Sequence, residues 1–199
     1  MSRLTRAIQH WKQRQNAVPR KIAGYHNDRL DGISDILLRA KGASVLDVGC
    51  YRGMVSLEFA YNGASLIHGC DRFAAGIETA RQIFADIPVQ SQFEIVELTG
   101  GYKAIEAAFG SSRLSDYDIV LFLGVHQNLK DKMKTEALNE LTFDLAKRAK
   151  RYFVHRSTEP DLLDPILKRA GLHMVQQSTL SNIVGPSAIW ASKSAHGAA

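Results

Sequence analysis

The sequence has few of the features that stabilise secreted or membrane-embedded chains. It contains two cysteines, Cys50 and Cys70, in 199 residues, which is too few for a disulfide-stapled secreted scaffold and is typical of a reducing compartment. No run approaches the roughly 18 apolar residues of a membrane span, and the N-terminal residues lack the apolar stretch of a signal peptide. These absences predict a cytoplasmic protein that does not associate with membranes.

Acidic residues are missing from the start of the chain. The net charge is +5, yet six basic residues and no acidic one precede Asp28, so the remainder is close to neutral. The excess positive charge therefore lies in a basic N-terminal arm, residues 1–24, rather than in a basic groove of the remaining chain. Such an arm could be a helix that covers the core, a contact for RNA phosphates, or an organellar transit peptide.

From residue 43 onward, short β-rich apolar runs alternate with stretches of helical spacing, which predicts βαβ units on a parallel sheet in one domain. The predicted strands are 44–48, 65–70, 93–96, 118–123, 152–155, 173–176 and 188–191. The predicted helices are 53–62, 74–86, 102–109, 131–149 and 160–170, preceded by a helix containing Leu30, Ile33, Ile36 and Leu37. No helix separates the last two strands, so we expect a hairpin with an antiparallel seventh strand, followed by a frayed tail at 194–199.

One turn in this pattern carries chemical information. The segment 45–53 reads Val-Leu-Asp-Val-Gly-Cys-Tyr-Arg-Gly, a strand that enters a glycine-containing bend before a helix. Open α/β sheets bind ligands at the carboxyl ends of their strands. Gly49 would let the backbone approach a ligand, and Gly53 would let the helix start close to the sheet. Asp47 would repel the pyrophosphate that a dinucleotide-binding GxGxxG turn receives, so it favours a cationic group.

A second acidic residue ends the next predicted strand. Asp71 lies 22 positions after Gly49, where a carboxylate can accept hydrogen bonds from the vicinal hydroxyls of a ribose. A nucleoside that carries a positive group would satisfy both Asp47 and Asp71.

With these two acids and seven strands, the chain from about residue 25 to 193 resembles a class I S-adenosylmethionine (SAM)-dependent methyltransferase. The resemblance implies an α/β fold: a single doubly wound, Rossmann-like domain with a seven-stranded, mostly parallel sheet, helices on both faces and an N-terminal helical extension. It also implies SAM as the cofactor. Tyr51 departs from the family pattern, because many members have a third glycine there.

The resemblance assigns roles to residues at the strand ends. The family's first motif, which holds the methionine part of the cofactor, would comprise Asp47, Gly49, Cys50 and Gly53. Asp71 would bind the ribose, Glu97 the adenine amino group, and Leu98 would flank the adenine ring. Gly124 and Val125 would offer the backbone that accepts from the methionine amino group.

Residues for catalysis and for the methyl acceptor are expected on the same edge. His126, in the loop after the fourth strand, is the candidate general base or acceptor-orienting group, or else it caps the next helix or bonds the cofactor. His155 and Arg156 end the fifth strand and are substrate candidates, although Arg156 could instead pair with a surface acid. Tyr25 and Arg29 precede the domain, where relatives often place a lid, or where a surface helix begins.

Further absences narrow the acceptor. No Asn/Asp-Pro-Pro-Tyr/Phe segment follows the fourth strand, which disfavours methylation of exocyclic nucleic-acid amines. Neither cysteine is placed to attack a pyrimidine, and no ligand-like pattern predicts a metal. We therefore expect a small-molecule or end-group acceptor. An RNA-directed enzyme that uses the basic arm and a non-catalytic methyltransferase-like subunit are the alternatives.

Overall fold

A computed structural model describes Leu30 and residues 32–178 and 185–197 of the chain. Its strands are β1 Ser44–Val48, β2 Leu66–Asp71, β3 Gln90–Ile95, β4 Tyr117–Leu123, β5 Ala149–Arg156, β6 His173–Gln177 and β7 Ser187–Ala191. Its helices are α1 Met54–Tyr61, α2 Ala74–Phe84, α3 Tyr102–Phe109, α4 His126–Lys130, α5 Thr135–Lys147 and α6 Pro160–Arg169. A 3₁₀ helix, Ser34–Arg39, precedes β1. Over the described ranges, no helix has the length and apolar character that crossing a bilayer requires.

The seven strands form one sheet in the order β3-β2-β1-β4-β5-β7-β6. Strands β1 to β5 are parallel, and β7 runs antiparallel to both β5 and β6, which confirms the predicted hairpin. The chain builds the sheet outward from β1 to β3 and then returns to the other side of β1 with β4. This reversal of strand order opens a crevice at the carboxyl ends of β1 and β4.

Apolar side chains fill both faces of the sheet. One core cluster joins the sheet to the 3₁₀ segment, α1 and α2, and the other joins it to α3, α4, α5 and α6. Alternate residues of each strand supply the two clusters, as the pleat requires. Both faces are covered by helices, so the doubly wound α/β fold is confirmed.

Four local predictions are wrong. The segment after β4 is not a loop, because His126–Lys130 forms the short helix α4, and the next helix begins at Thr135 rather than at residue 131. Strand β3 begins three residues before Phe93, because Gln90 pairs with Leu66 at the edge of the sheet. The segment Lys193–Gly197 is a 3₁₀ helix with Ala195 buried, where a frayed tail was expected.

One contact between β1 and β4 lies away from the crevice, and one group of predicted residues lies outside the described residues. Asp118 accepts hydrogen bonds from the backbone N–H and the hydroxyl of Ser44 (2.9 and 3.0 Å), which ties β4 to β1 at the opposite edge of the sheet. The basic arm 1–24 lies outside the described residues, as do the substrate candidates Tyr25 and Arg29.

Candidate functional site

The turn after β1 passes directly against the turn after β4. Gly49 has φ +82°, and a Cβ built on it would lie 2.2 Å from Cγ2 of Val125. Any side chain at position 49 would therefore push Val125 away, in a backbone conformation that disfavours side chains. Gly53 also has a positive φ, and its Cβ position lies 3.1 Å from Cβ of Ala80 on α2. Both glycines keep the turn close to its neighbours, as the motif predicted.

Asp47 supplies a buried negative charge beneath this turn. The side chain is only 2% exposed, and its Oδ2 accepts a hydrogen bond of 2.6 Å from the hydroxyl of Ser56 on α1. A short hydrogen bond to a carboxylate is stronger than one between neutral groups. It fixes the carboxylate and leaves its charge in place, which disfavours an anionic ligand above the turn.

Asp71 connects the turn after β1 to the turn after β2. Its Oδ2 accepts the backbone N–H of Tyr51 (2.9 Å), and its Oδ1 accepts the backbone N–H of Phe73 (2.8 Å). The two oxygens of a carboxylate offer about four acceptor positions in total. Each oxygen of Asp71 therefore keeps acceptor capacity for a ligand after it has fixed the two turns.

Tyr51 has a left-handed backbone conformation, with φ +53°, that is uncommon for a bulky residue. Its ring stacks on that of Phe73 with centroids 5.3 Å apart, and the guanidinium of Arg52 lies 4.9 Å from the Tyr51 centroid. The hydrogen bond to Asp71 and this stacking offset the backbone strain. Tyr51, at a position where many family members have glycine, therefore places an aromatic ring beside Asp71.

The carboxyl end of β4 carries the candidate backbone acceptor and the candidate catalytic histidine. The Gly124 carbonyl accepts a hydrogen bond of 2.7 Å from Nδ2 of Asn128, and the second lone pair of a carbonyl remains for a ligand. His126 begins α4 and is 2% exposed, and its Nδ1 has no hydrogen-bond partner. Burial lowers the pKa of His126, an effect that Glu159 opposes and Lys130 reinforces. The imidazole is therefore neutral near pH 7.

The structure does not place His155 in the crevice. Its side chain is 0% exposed, and its Nε2 accepts a hydrogen bond of 3.2 Å from the indole Nε1–H of Trp190. Burial and, to a smaller extent, the nearby His126 lower the pKa of His155 to about 4. A side chain with no exposed surface does not line the crevice, so the predicted substrate contact of His155 needs correction.

Arg156 is also not a surface residue. Its side chain is 2% exposed, and its Nε donates a hydrogen bond of 2.7 Å to the hydroxyl of Ser187 on β7. Both roles predicted for Arg156, a contact with the substrate and an ion pair with an acid, stay predictions.

The remaining predicted residues divide between the surface and the core. Glu97 is exposed after β3, as a contact to an adenine edge would require, whereas Leu98 is buried in the core. Burial, reinforced by Asp47, raises the pKa of the Cys50 thiol. Burial likewise raises the pKa of Cys70. Both cysteines stay protonated and are not nucleophiles.

Comparisons with known proteins bear on the fold. No protein-family model matches the sequence, and a search of curated proteins finds no match. Solved structures do match. The magnesium protoporphyrin IX methyltransferase from Synechocystis PCC 6803, solved with bound SAM, has a TM-score of 0.63 at 18% identity, over 97% of this chain and 85% of its own. The N-methyltransferase NodS from Bradyrhizobium japonicum WM9, solved with S-adenosyl-L-homocysteine (SAH), has a TM-score of 0.65 at 12% identity, over 94% and 98% of the two chains. This is the fold of class I SAM-dependent methyltransferases.

A third structure of this methyltransferase fold has a similar length. The TehB-like SAM-dependent methyltransferase from Corynebacterium glutamicum ATCC 13032 Kitasato matches with a TM-score of 0.57 and 15% identity, over 96% of this chain and 97% of its own. The chain therefore corresponds to nearly the whole of this compact methyltransferase fold.

Sequence reasoning missed several residues of the site. Ser56, in the first turn of α1, donates a hydrogen bond to Asp47. Phe73 donates its backbone N–H to Asp71, and its ring stacks on Tyr51. A serine nine positions after a motif acid is a weak signal in one sequence. Trp190 received no role, since its contact with His155 depends on the antiparallel register of β5 and β7. A buried tryptophan generally needs a partner for its N–H, which is a signal that a strand-pairing argument could have used.

Proposed function

We propose that this protein is a SAM-dependent methyltransferase that acts on a small molecule or on an exposed end group. One observation carries the proposal: at the crevice of a methyltransferase fold, the glycine turn contacts Val125 and the neighbouring strand ends in a carboxylate with free acceptor capacity. A neighbour whose name states magnesium protoporphyrin IX as its substrate supports a small acceptor.

The described residues fit the cofactor. Asp71 would accept from the ribose hydroxyls, and Glu97, exposed at the end of β3, would face the adenine amino group. The buried charge of Asp47 would favour the cationic methionine part, and the Gly124 carbonyl would accept from its amino group. When bound, SAM supplies an electrophilic methyl group on a sulfonium centre.

The chain's own contribution to the reaction is placement rather than covalent chemistry. Orienting two reactants can supply roughly 7 to 11 kcal/mol of a barrier. Gly49 and Val125 would set how closely the ligand approaches β1 and β4. His126, neutral at the start of α4, would orient the acceptor or take up a proton where the acceptor must lose one. Arg156 and Ser187 would hold the end of β5 in position.

We expect Asp71→Asn to weaken SAH binding about 10- to 100-fold. The reason is that hydrogen bonds to a charged group contribute about 1.5 to 3 kcal/mol, and the amide can no longer accept at both oxygens. Titration calorimetry with SAH measures the change. Asp86→Asn is the matched control, because Asp86 is exposed after α2. Equal SAH affinity in Asp71→Asn and the wild-type protein would remove Asp71 from the site.

A screen for methyl transfer tests the activity itself. SAM labelled in its methyl group would be incubated with panels of small phenols, amines and carboxylic acids, and in parallel with total RNA. Label on a small molecule supports the proposal. Label on RNA alone would favour the RNA-directed alternative, and SAH binding without transfer to any acceptor would favour a non-catalytic subunit.

A further inference from the structure

The pair Trp190 and His155 determines which nitrogen of His155 carries a proton. An indole N–H only donates, so Nε2 of His155 must be the acceptor in the 3.2 Å hydrogen bond. A neutral imidazole has one protonated nitrogen, and burial keeps His155 neutral by lowering its pKa to about 4. The proton of His155 therefore lies on Nδ1.

This proton has no acceptor within the part of the chain that the structure describes. Nδ1 of His155 is buried without a hydrogen-bond partner, and an unpartnered buried donor costs about 1 to 3 kcal/mol. His126 also has a buried Nδ1 without a partner. His155 pairs with Phe122 in the register of β5 and β4, and His126 begins α4 four residues after Phe122. Both imidazoles and the buried Oε1 of Gln127 therefore lie at the carboxyl end of this strand pair, where three polar atoms without a partner among the described residues can hold one water.

We infer that Trp190 and His155 position His126 through one buried water: the Nδ1–H of His155 donates to this water, and the water donates to Nδ1 of His126. His126 then carries its own proton on Nε2. Histidines at functional sites commonly have their tautomer set by a partner on the other ring nitrogen. His155 is in this sense a positioning residue that acts through His126.

This tautomer changes the role of His126 in the proposed reaction. The tautomer follows from the contacts of His155, and only the position of His126 beside the methyl acceptor rests on the proposed function. With Nδ1 engaged and Nε2 protonated, His126 offers a hydrogen-bond donor to an acceptor oxygen or nitrogen and is not a free base. A methyl acceptor bound there would have a lone pair to accept that bond. The charged groups that act on His126 are Glu159 and Lys130, which form a salt bridge of 2.7 Å with each other.

Nitrogen NMR on the full, ligand-free chain tests the arrangement. Long-range proton–nitrogen spectra at pH 7 distinguish protonated from unprotonated ring nitrogens, and histidine substitutions assign them. We expect His155 as the Nδ1–H tautomer and His126 as the Nε2–H tautomer. Observation of His126 with its proton on Nδ1 would overturn the inference.

Variants separate positioning from a merely structural role. In His155→Phe, we expect His126 to lose its single tautomer and populate both. In His155→Asn, an amide nitrogen replaces the Nδ1 donor and should restore the Nε2–H form. An unchanged His126 spectrum in His155→Phe would refute the relay. If that variant does not fold, Trp190→Phe replaces it, and both histidines should then exchange between tautomers.

Gln127 provides the competing acceptor, since its Oε1 is also buried and unpartnered. Gln127→Ala should leave both tautomers unchanged, and a changed His155 signal would assign the donor to Gln127 instead. SAH calorimetry on the same proteins keeps the two proposals apart. Failure of the wild-type protein to bind SAH would contradict the proposed function and leave the tautomer result standing.

Discussion

Replacing Gly49 with alanine is expected to lower the free energy of unfolding by about 2 to 5 kcal/mol and to abolish measurable SAH binding. A left-handed backbone costs a residue with a Cβ about 1 to 2 kcal/mol, and forcing an atom into a packed site costs about 1 to 3 kcal/mol more. At Gly49, the added carbon would lie 2.2 Å from Cγ2 of Val125. Urea unfolding measures the stability, and calorimetry measures SAH binding.

Two controls separate the backbone strain from the collision. Gly42 has φ +71° with open space around its Cβ position, so Gly42→Ala should cost only about 1 to 2 kcal/mol and leave SAH binding intact. Val125→Ala removes the colliding methyl group. In a double-mutant cycle, Gly49→Ala should therefore cost less in the Val125→Ala background. Equal costs in both backgrounds would show that the turns after β1 and β4 do not meet as described.

Acid is expected to destabilise the protein steeply between pH 6.5 and about 4. Burial lowers the pKa of His68 and of His155 to about 4, whereas an unfolded histidine titrates near 6.5. Below pH 6.5 the unfolded chain binds protons that the folded chain does not, so stability falls as the pH falls. Each pKa unit corresponds to about 1.4 kcal/mol, so the two groups together cost several kcal/mol by pH 4.

The surroundings of His68 explain its contribution to the loss of stability in acid. Its Nδ1 forms a 2.8 Å hydrogen bond with the hydroxyl of Tyr117, and its ring stacks on Phe109 at 4.7 Å. Urea unfolding at several pH values should give a flatter pH dependence for His68→Gln than for the wild-type protein. His173→Gln is the control, because His173 is exposed on β6. The same slope in His68→Gln and the wild-type protein would show that folding does not lower the pKa of His68.

The order and type of the elements followed from hydrophobic runs, but short or half-exposed elements did not. Gln90 to Gln92 begin β3 with polar residues, because this strand lies at the edge of the sheet. The five residues of α4 are too few to show a helical period. A pattern based on burial therefore locates central strands well and misplaces the ends of edge strands and single turns.

The candidate site was predictable where function depends on local spacing. Asp47 and Gly49 belong to the motif at the end of β1, Asp71 ends β2, and a hydrogen bond from the Tyr51 N–H joins Asp71 to the turn after β1. Their contact with a ligand stays a prediction. The pairing of His155 with Trp190 joins residues 35 positions apart through an antiparallel register. No local pattern specifies that contact, so the burial of His155 could not be read from the sequence.

The hydrogen bonds from Tyr51 and Phe73 to Asp71 have a kinetic consequence. Because these bonds hold both turns in place without any ligand, association with a nucleoside requires little loop rearrangement. The entropy of ordering these turns is lost during folding rather than during association. We therefore expect capture to occur in a single step, at a rate that rises linearly with ligand concentration and does not reach a plateau set by loop closure.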